Sequence, residues 1–171
     1  MNNELDADLR AVLISQFTAA LEMMRQTVAQ CPDSLWLSAS LRNQFWRVAY
    51  HALFYVHFYV YPTEHDFVPW SKHRDEVESA HDERPDAAPY SQQDVLEYLD
   101  FCVAQVQFWI PQLDFRTASG FPWYAVNKLE MEFINLRHLQ QHVGELSEQL
   151  SDKTGRDIRW RGFTPAKSSA A

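Results

Sequence analysis

Apolar residues recur three or four positions apart over long stretches of this chain, and that spacing admits little besides helices. Leu9, Val12, Leu13, Phe17, Ala20, Leu21 and Met24 form one stripe, and Val126, Leu129, Phe133, Leu136, Leu139, Val143 and Leu146 form another. Only four glycines occur in 171 residues, so few positions pull the backbone out of a helix. The expected fold is all-α. A first helix covers about residues 6–30 and ends at Cys31-Pro32-Asp33-Ser34, because proline cannot continue the hydrogen-bond ladder. A second covers about residues 41–61, stops at Pro62 and is aromatic nearly all round, through Phe45, Trp46, Tyr50, Phe54, Tyr55, Phe58 and Tyr59. Such a helix is central to a bundle or covered by a partner subunit. A third begins behind Ser91, which is placed to cap it, and stops before Pro111. A fourth covers about residues 124–150, with Gly155 just past its end. Four helices of this length make a four-helix bundle.

Between the second and third helices lies a long polar connection, residues 62–89, with Trp70 and a charged run at 72–84. A connection of this length is uncommon in a compact domain unless it has a role or carries a short helix, and the roles open to it are a lid over a pocket or a crossover joining helices out of sequential order. Residues 1–164 are expected to form one helical domain, with Trp160 and Phe163 packing locally and residues 165–171 as a disordered tail. The formal net charge of -8, from 15 Lys and Arg against 23 Asp and Glu, argues against a nucleic-acid-binding surface. Two cysteines, Cys31 and Cys102, make no disulfide framework, so a reducing cytoplasm is expected. Residues 1–10 are acidic and polar, which predicts no signal peptide, and the most apolar run, 48–61, is too short to span a bilayer.

The chemistry-bearing residues are histidines. His138 and His142 stand four apart, slightly more than one helical turn, so both imidazoles leave one face. Such a pair alone does not establish a metal site, since a chain with seven histidines produces it by chance. His51 strengthens the case. It has Val48, Phe54 and Tyr55 as its three- and four-residue neighbours, while Leu136, Leu139, Val143 and Leu146 flank the pair. Three buried imidazoles without partners would each cost free energy, and one metal ion satisfies all three. Three histidines with a fourth position open suit activation of a water or a thiol. Zinc fits an all-imidazole tetrahedral site, and nickel, copper and iron also accept imidazole. Asn135 and Glu145 lie one turn to either side on the same face, each placed to orient an imidazole through its free ring nitrogen. Glu145 is also the leading carboxylate for a general base. His57, six residues after His51, reads as a surface or interface residue, and His65, His73 and His81 read as solvated. Tyr50 and Tyr55 read as packing residues that are also able to donate to a ligand.

The run Phe45-Trp46-Arg47-Val48-Ala49-Tyr50-His51, the long connection, the run Asn135-Leu136-Arg137-His138 with His142-Val143-Gly144-Glu145-Leu146, and the tail bearing Trp160 together resemble the DinB/YfiT superfamily of metal-dependent enzymes. The resemblance implies a four-helix bundle of non-sequential connectivity. It implies a metal site of one histidine from the second helix and two, four apart, from the last, mapping onto His51, His138 and His142, and it implies a homodimer. Some relatives act as thiol-dependent transferases or isomerases on a low-molecular-weight thiol such as mycothiol or bacillithiol; others are known as stress-induced proteins. The expected function is thus a metal-dependent enzyme, thiol S-transferase or hydrolase-like, holding Zn²⁺ or Ni²⁺. The rival is a non-catalytic stress-response or binding protein whose metal is structural or sensory. A haem-binding bundle is remoter, because a bundle core is aromatic far more often than it is a cofactor box.

Overall fold

The computed structural model describes residues 2–38, 43–78 and 87–164. α1 spans Asn2–Gln30, α2 is a single turn at Asp33–Trp36, α3 spans Phe45–Tyr59, α4 Gln92–Trp109 and α5 Lys128–Thr154. Two 3-10 turns, Glu64–Asp66 and Asp75–Val77, interrupt the long connection. α1 packs on α4 and α5, and α3 packs on the same two, so the four long helices close a ring in the order α1, α4, α3, α5. α1 and α3 therefore stand across a diagonal, as do α4 and α5. This is the non-sequential bundle that the long connection was expected to permit.

The caps explain the boundaries. Ser91 caps α4 as expected: its Oγ accepts from the Asp94 amide at 3.0 Å, and the Asp94 carboxylate accepts in return from the Ser91 amide. α5 starts at residue 128, not 124, because Asn127 caps it by accepting from the Glu130 amide at 2.9 Å. Residues 124–127 instead close a tight loop, with Ser119 N donating to Val126 O and Lys128 N to Thr117 O, both at 2.9 Å. Gly155, at φ +68, ends α5. At Gly120, φ +84, an added Cβ would meet the Pro62 carbonyl oxygen at 2.0 Å, so this loop lies directly on the end of α3.

The apolar stripe of α1 buries Leu13, Phe17, Ala20, Leu21, Met24 and Val28, but Val12 lies outside it and is exposed, as is Phe133 on α5. Trp160 and Phe163 do not pack as expected: both are exposed, and the tail is held to α1 through its backbone, with Ser15 Oγ donating to Thr164 O and Gln16 to Gly162 O. Residues 165–171 lie outside the described residues. In the long connection, Trp70 stacks on Tyr98 with ring centroids 4.6 Å apart, and Lys72 reaches Asp94 and Glu97 at 2.7 and 2.6 Å. The described part of the connection is thus anchored on α4. No helix among the described residues is long and apolar enough to cross a membrane.

His57 is not at the surface. It is fully buried in α3, its Nδ1 is 3.0 Å from the Tyr98 hydroxyl, and its ring meets Phe67 and Phe101. The expectation failed because α3 is covered on nearly all sides, by α4, α5 and the connection. Burial, helped by nearby His73, lowers its pKa from 6.5 to about 3. Between those values the unfolded chain takes up a proton that the folded one refuses. The stabilisation is complete above pH 6.5 and is lost as pH falls toward 3, by at most about 1.4 kcal/mol per pH unit. Urea unfolding from pH 7 to pH 4.5 is expected to show this decline, and His57→Leu is expected to flatten it. An equal slope in both proteins would assign the decline to other groups.

Candidate metal centre

α3 delivers His51 and α5 delivers His138 and His142 to one point. His51 Nε2 lies 3.1 Å from His138 Nε2, and His142 Nε2 lies 3.1 Å from the same atom. The ring planes are close to perpendicular, at 64–89°, as when imidazoles converge edge-on. The outer nitrogens are engaged. His51 Nδ1 is 2.7 Å from the Glu78 carbonyl oxygen, and His142 Nδ1 is 3.0 Å from Glu145 Oε2. Both partners are acceptors, so both Nδ1 atoms carry the proton and both Nε2 atoms present lone pairs.

No tautomer of His138 resolves what remains. A proton on Nε2 serves only one of two facing lone pairs. A proton on Nδ1 sits on a buried atom that has no hydrogen-bond partner. Burial first, then the imidazoles of His142 and His51, push the His138 pKa down to about 3, so the ring is held neutral. Neutral imidazoles converging through Nε2 are what a divalent ion needs. Tetrahedral coordination at about 2.0–2.1 Å sets nitrogens roughly 3.3 Å apart, close to the observed spacing. His51, His138 and His142 therefore fit a metal ion, and no fourth His, Cys, Asp or Glu joins them among the described residues. His81 lies outside the described residues.

The structure chooses between the two polar neighbours on α5. Glu145 orients His142. Asn135 does not touch an imidazole; it is fully buried and donates to the Val56 carbonyl at 3.3 Å. A cavity of about 250 Å³ opens beside the centre, lined by His51, His138, Tyr55, Tyr59, Tyr124 and Ile134. Tyr55 packs its ring on His51 and His138, 4.9 and 5.3 Å between centroids. Burial raises the pKa of Tyr55, and the charge of Glu78 raises it further, so the phenol keeps its proton. Tyr50 is fully buried and does not line this cavity.

Sequence reasoning missed three residues. His73 is not solvated: its side chain is 7% exposed, Nδ1 is 2.6 Å from the Tyr50 hydroxyl, and Nε2 lies 3.1 Å from Glu78 and 3.3 Å from Asp75. His65, by contrast, is exposed as expected. Lys128 and Glu132 form a fully buried pair at 3.8 Å in the same helix as the two histidines. Their signal was present, since 128, 132, 135, 139, 142 and 146 share one helical face.

A family model of the DinB superfamily matches residues 16–146 of the chain. No curated protein and no solved structure matches it.

Proposed function

The chain belongs to the DinB superfamily, and from that premise we propose that it is a metal-dependent enzyme whose ion, Zn²⁺ or Ni²⁺, is held by His51, His138 and His142. The observation that carries this reading is the convergence of three Nε2 atoms beside a cavity, with two of the three Nδ1 atoms already committed to protein acceptors. Bound there, a divalent ion supplies Lewis acidity toward a water or a low-molecular-weight thiol. The reaction is then thiol transfer or hydrolysis on a small molecule. The chain's own residues do the positioning. The Glu78 carbonyl and the Glu145 carboxylate keep two imidazoles in the tautomer that points Nε2 inward. Tyr55, a phenol beside His51 and His138, donates its proton in a hydrogen bond to a polar atom of the substrate. Three histidines with no fourth protein ligand among the described residues favour an open position over a closed structural site.

Elemental analysis of the purified protein tests the reading, followed by assays of thiol transfer and ester hydrolysis with and without a chelator. About one ion per chain and a chelator-sensitive activity are expected. Bound metal with no activity in either assay would favour a structural or sensory ion. Glu145→Ala is expected to weaken metal affinity by about 10–100-fold, because His142 loses the group that orients it. Competition against a chromophoric chelator measures this; unchanged affinity would remove Glu145 from the site.

A further inference from the structure

A second cavity, about 390 Å³, stands beside the first and shares Tyr55 and Tyr59 with it as a common wall. Its construction is unusual for an apolar hollow. Phe54, Phe58 and Trp123 form a near-parallel row, with interplanar angles of 14° and 11°, and Phe67 stands across Phe54 and Phe58 at 82° and 89°. The rings thus give the cavity an aromatic wall, and Phe54 also stacks on His73 with centroids 5.2 Å apart. Its remaining polar lining is His73, Asp75 and Glu78, and no lysine or arginine lines it among the described residues. His73 tethers both carboxylates through Nε2, while the Tyr50 hydroxyl holds its other nitrogen at 2.6 Å. Tyr50 is fully buried, and burial keeps its phenol protonated, which leaves it the donor to Nδ1 and sets the Nε2 proton toward the carboxylates.

Aromatic faces attract cations through the ring quadrupole. Carboxylates attract the same charge and accept its N–H donors. An anion would meet negative charge from both. We infer that this cavity binds a protonated amine with an apolar body, its ammonium between Asp75 and Glu78 and its body against the aromatic wall. The inference deepens the proposed function by naming the charge class of the substrate that reaches the metal centre past Tyr55. Glu78 belongs to both sites, since its carbonyl oxygen accepts from His51 while its carboxylate faces the second cavity. Both carboxylates are solvent-accessible, Asp75 fully and Glu78 at 41%, so water screens the attraction and the preference is one of selectivity, not of high affinity.

The test is isothermal titration with three probes of one shape: phenethylammonium, 2-phenylethanol and 3-phenylpropionate. Phenethylammonium is expected to bind about tenfold tighter than the alcohol, with the carboxylate weakest. Asp75→Asn with Glu78→Gln is expected to erase the preference while the alcohol still binds. Trp123→Ala is expected to weaken both. His138→Ala, which breaks the metal centre, is expected to leave phenethylammonium binding unchanged, so failure of the metal reading and failure of this one are separable. Equal binding of all three probes, tightest binding of 3-phenylpropionate, or no binding would overturn the inference. So would a second metal ion per chain that is lost in the double variant, because it would place a cation of a different kind on His73, Asp75 and Glu78.

Discussion

His138→Ala is expected to take the metal content of the protein from about one ion per chain to none, and metal-dependent activity with it. The position is the most sensitive of the three because its Nε2 is the atom that both other imidazoles face, each at 3.1 Å. Two histidines from different helices would remain, without the third donor that closes the coordination face. The same substitution should not cost the fold. His138 gives its side chain to no acceptor outside the triad, and its Nδ1 is buried without a partner. Removing the ring relieves the unpartnered Nδ1, but it also leaves a void beside Tyr55 and withdraws the proton that serves one facing lone pair, so the two effects oppose each other in the metal-free protein. Metal content by mass spectrometry and thermal unfolding of the chelated protein therefore answer separately. Loss of metal with a midpoint changed by only a few degrees is the expected pair of results. Retention of a full metal complement would sink the assignment.

Lys128→Met is expected to produce the largest loss of stability, about 3–5 kcal/mol, from breaking a buried ion pair on one side. Lys128 Nζ donates to the carbonyls of Tyr59, Tyr61 and Ser119 and lies 3.8 Å from Glu132. Burial lowers its pKa and raises that of Glu132, each offset in part by the other's charge. Without the ammonium, three carbonyl oxygens lose their donor, and neither oxygen of Glu132 has a hydrogen-bond partner to fall back on. A fall of roughly 10 °C in the unfolding midpoint follows for a chain of this size. Lys128→Met with Glu132→Leu is expected to recover most of it, because the orphaned carboxyl is then gone as well. A single variant that costs less than about 1 kcal/mol would show that the pair contributes little. The clamp also bears on function. It joins the end of α3 to the loop carrying Trp123, and Tyr59 beside it walls both cavities.

Much of the bundle was legible because its signals are local. Apolar spacing marked α1, α3, α4 and α5, proline and serine marked ends, and Gly155 marked the close of α5. α5 starts a few residues later than the apolar spacing indicates, because the apolar Val126 continues the stripe past the true cap. Asn127 with Glu130 three positions on was the better sign. The one-turn α2 is shorter than any periodicity can register. His57 and His73 depart from their expected exposure for a shared reason. Whether a side chain is solvated depends on what covers it, and both are covered by elements distant in the chain.

The sequence by itself determined that His138 and His142 leave one helix face together, because a rise of about 1.5 Å per residue and 3.6 residues per turn leave a helix no choice. It also determined, through the spacing of apolar positions, which faces had to be buried. Only the tertiary structure decided that His51 meets that pair, that Glu145 and not Asn135 holds an imidazole, and that a carbonyl from the long connection holds another. These outcomes depend on how α3 and α5 pack and on where residues 62–78 lie across them. The free energy behind that packing is summed over a core of scattered residues, and no short stretch of sequence encodes it.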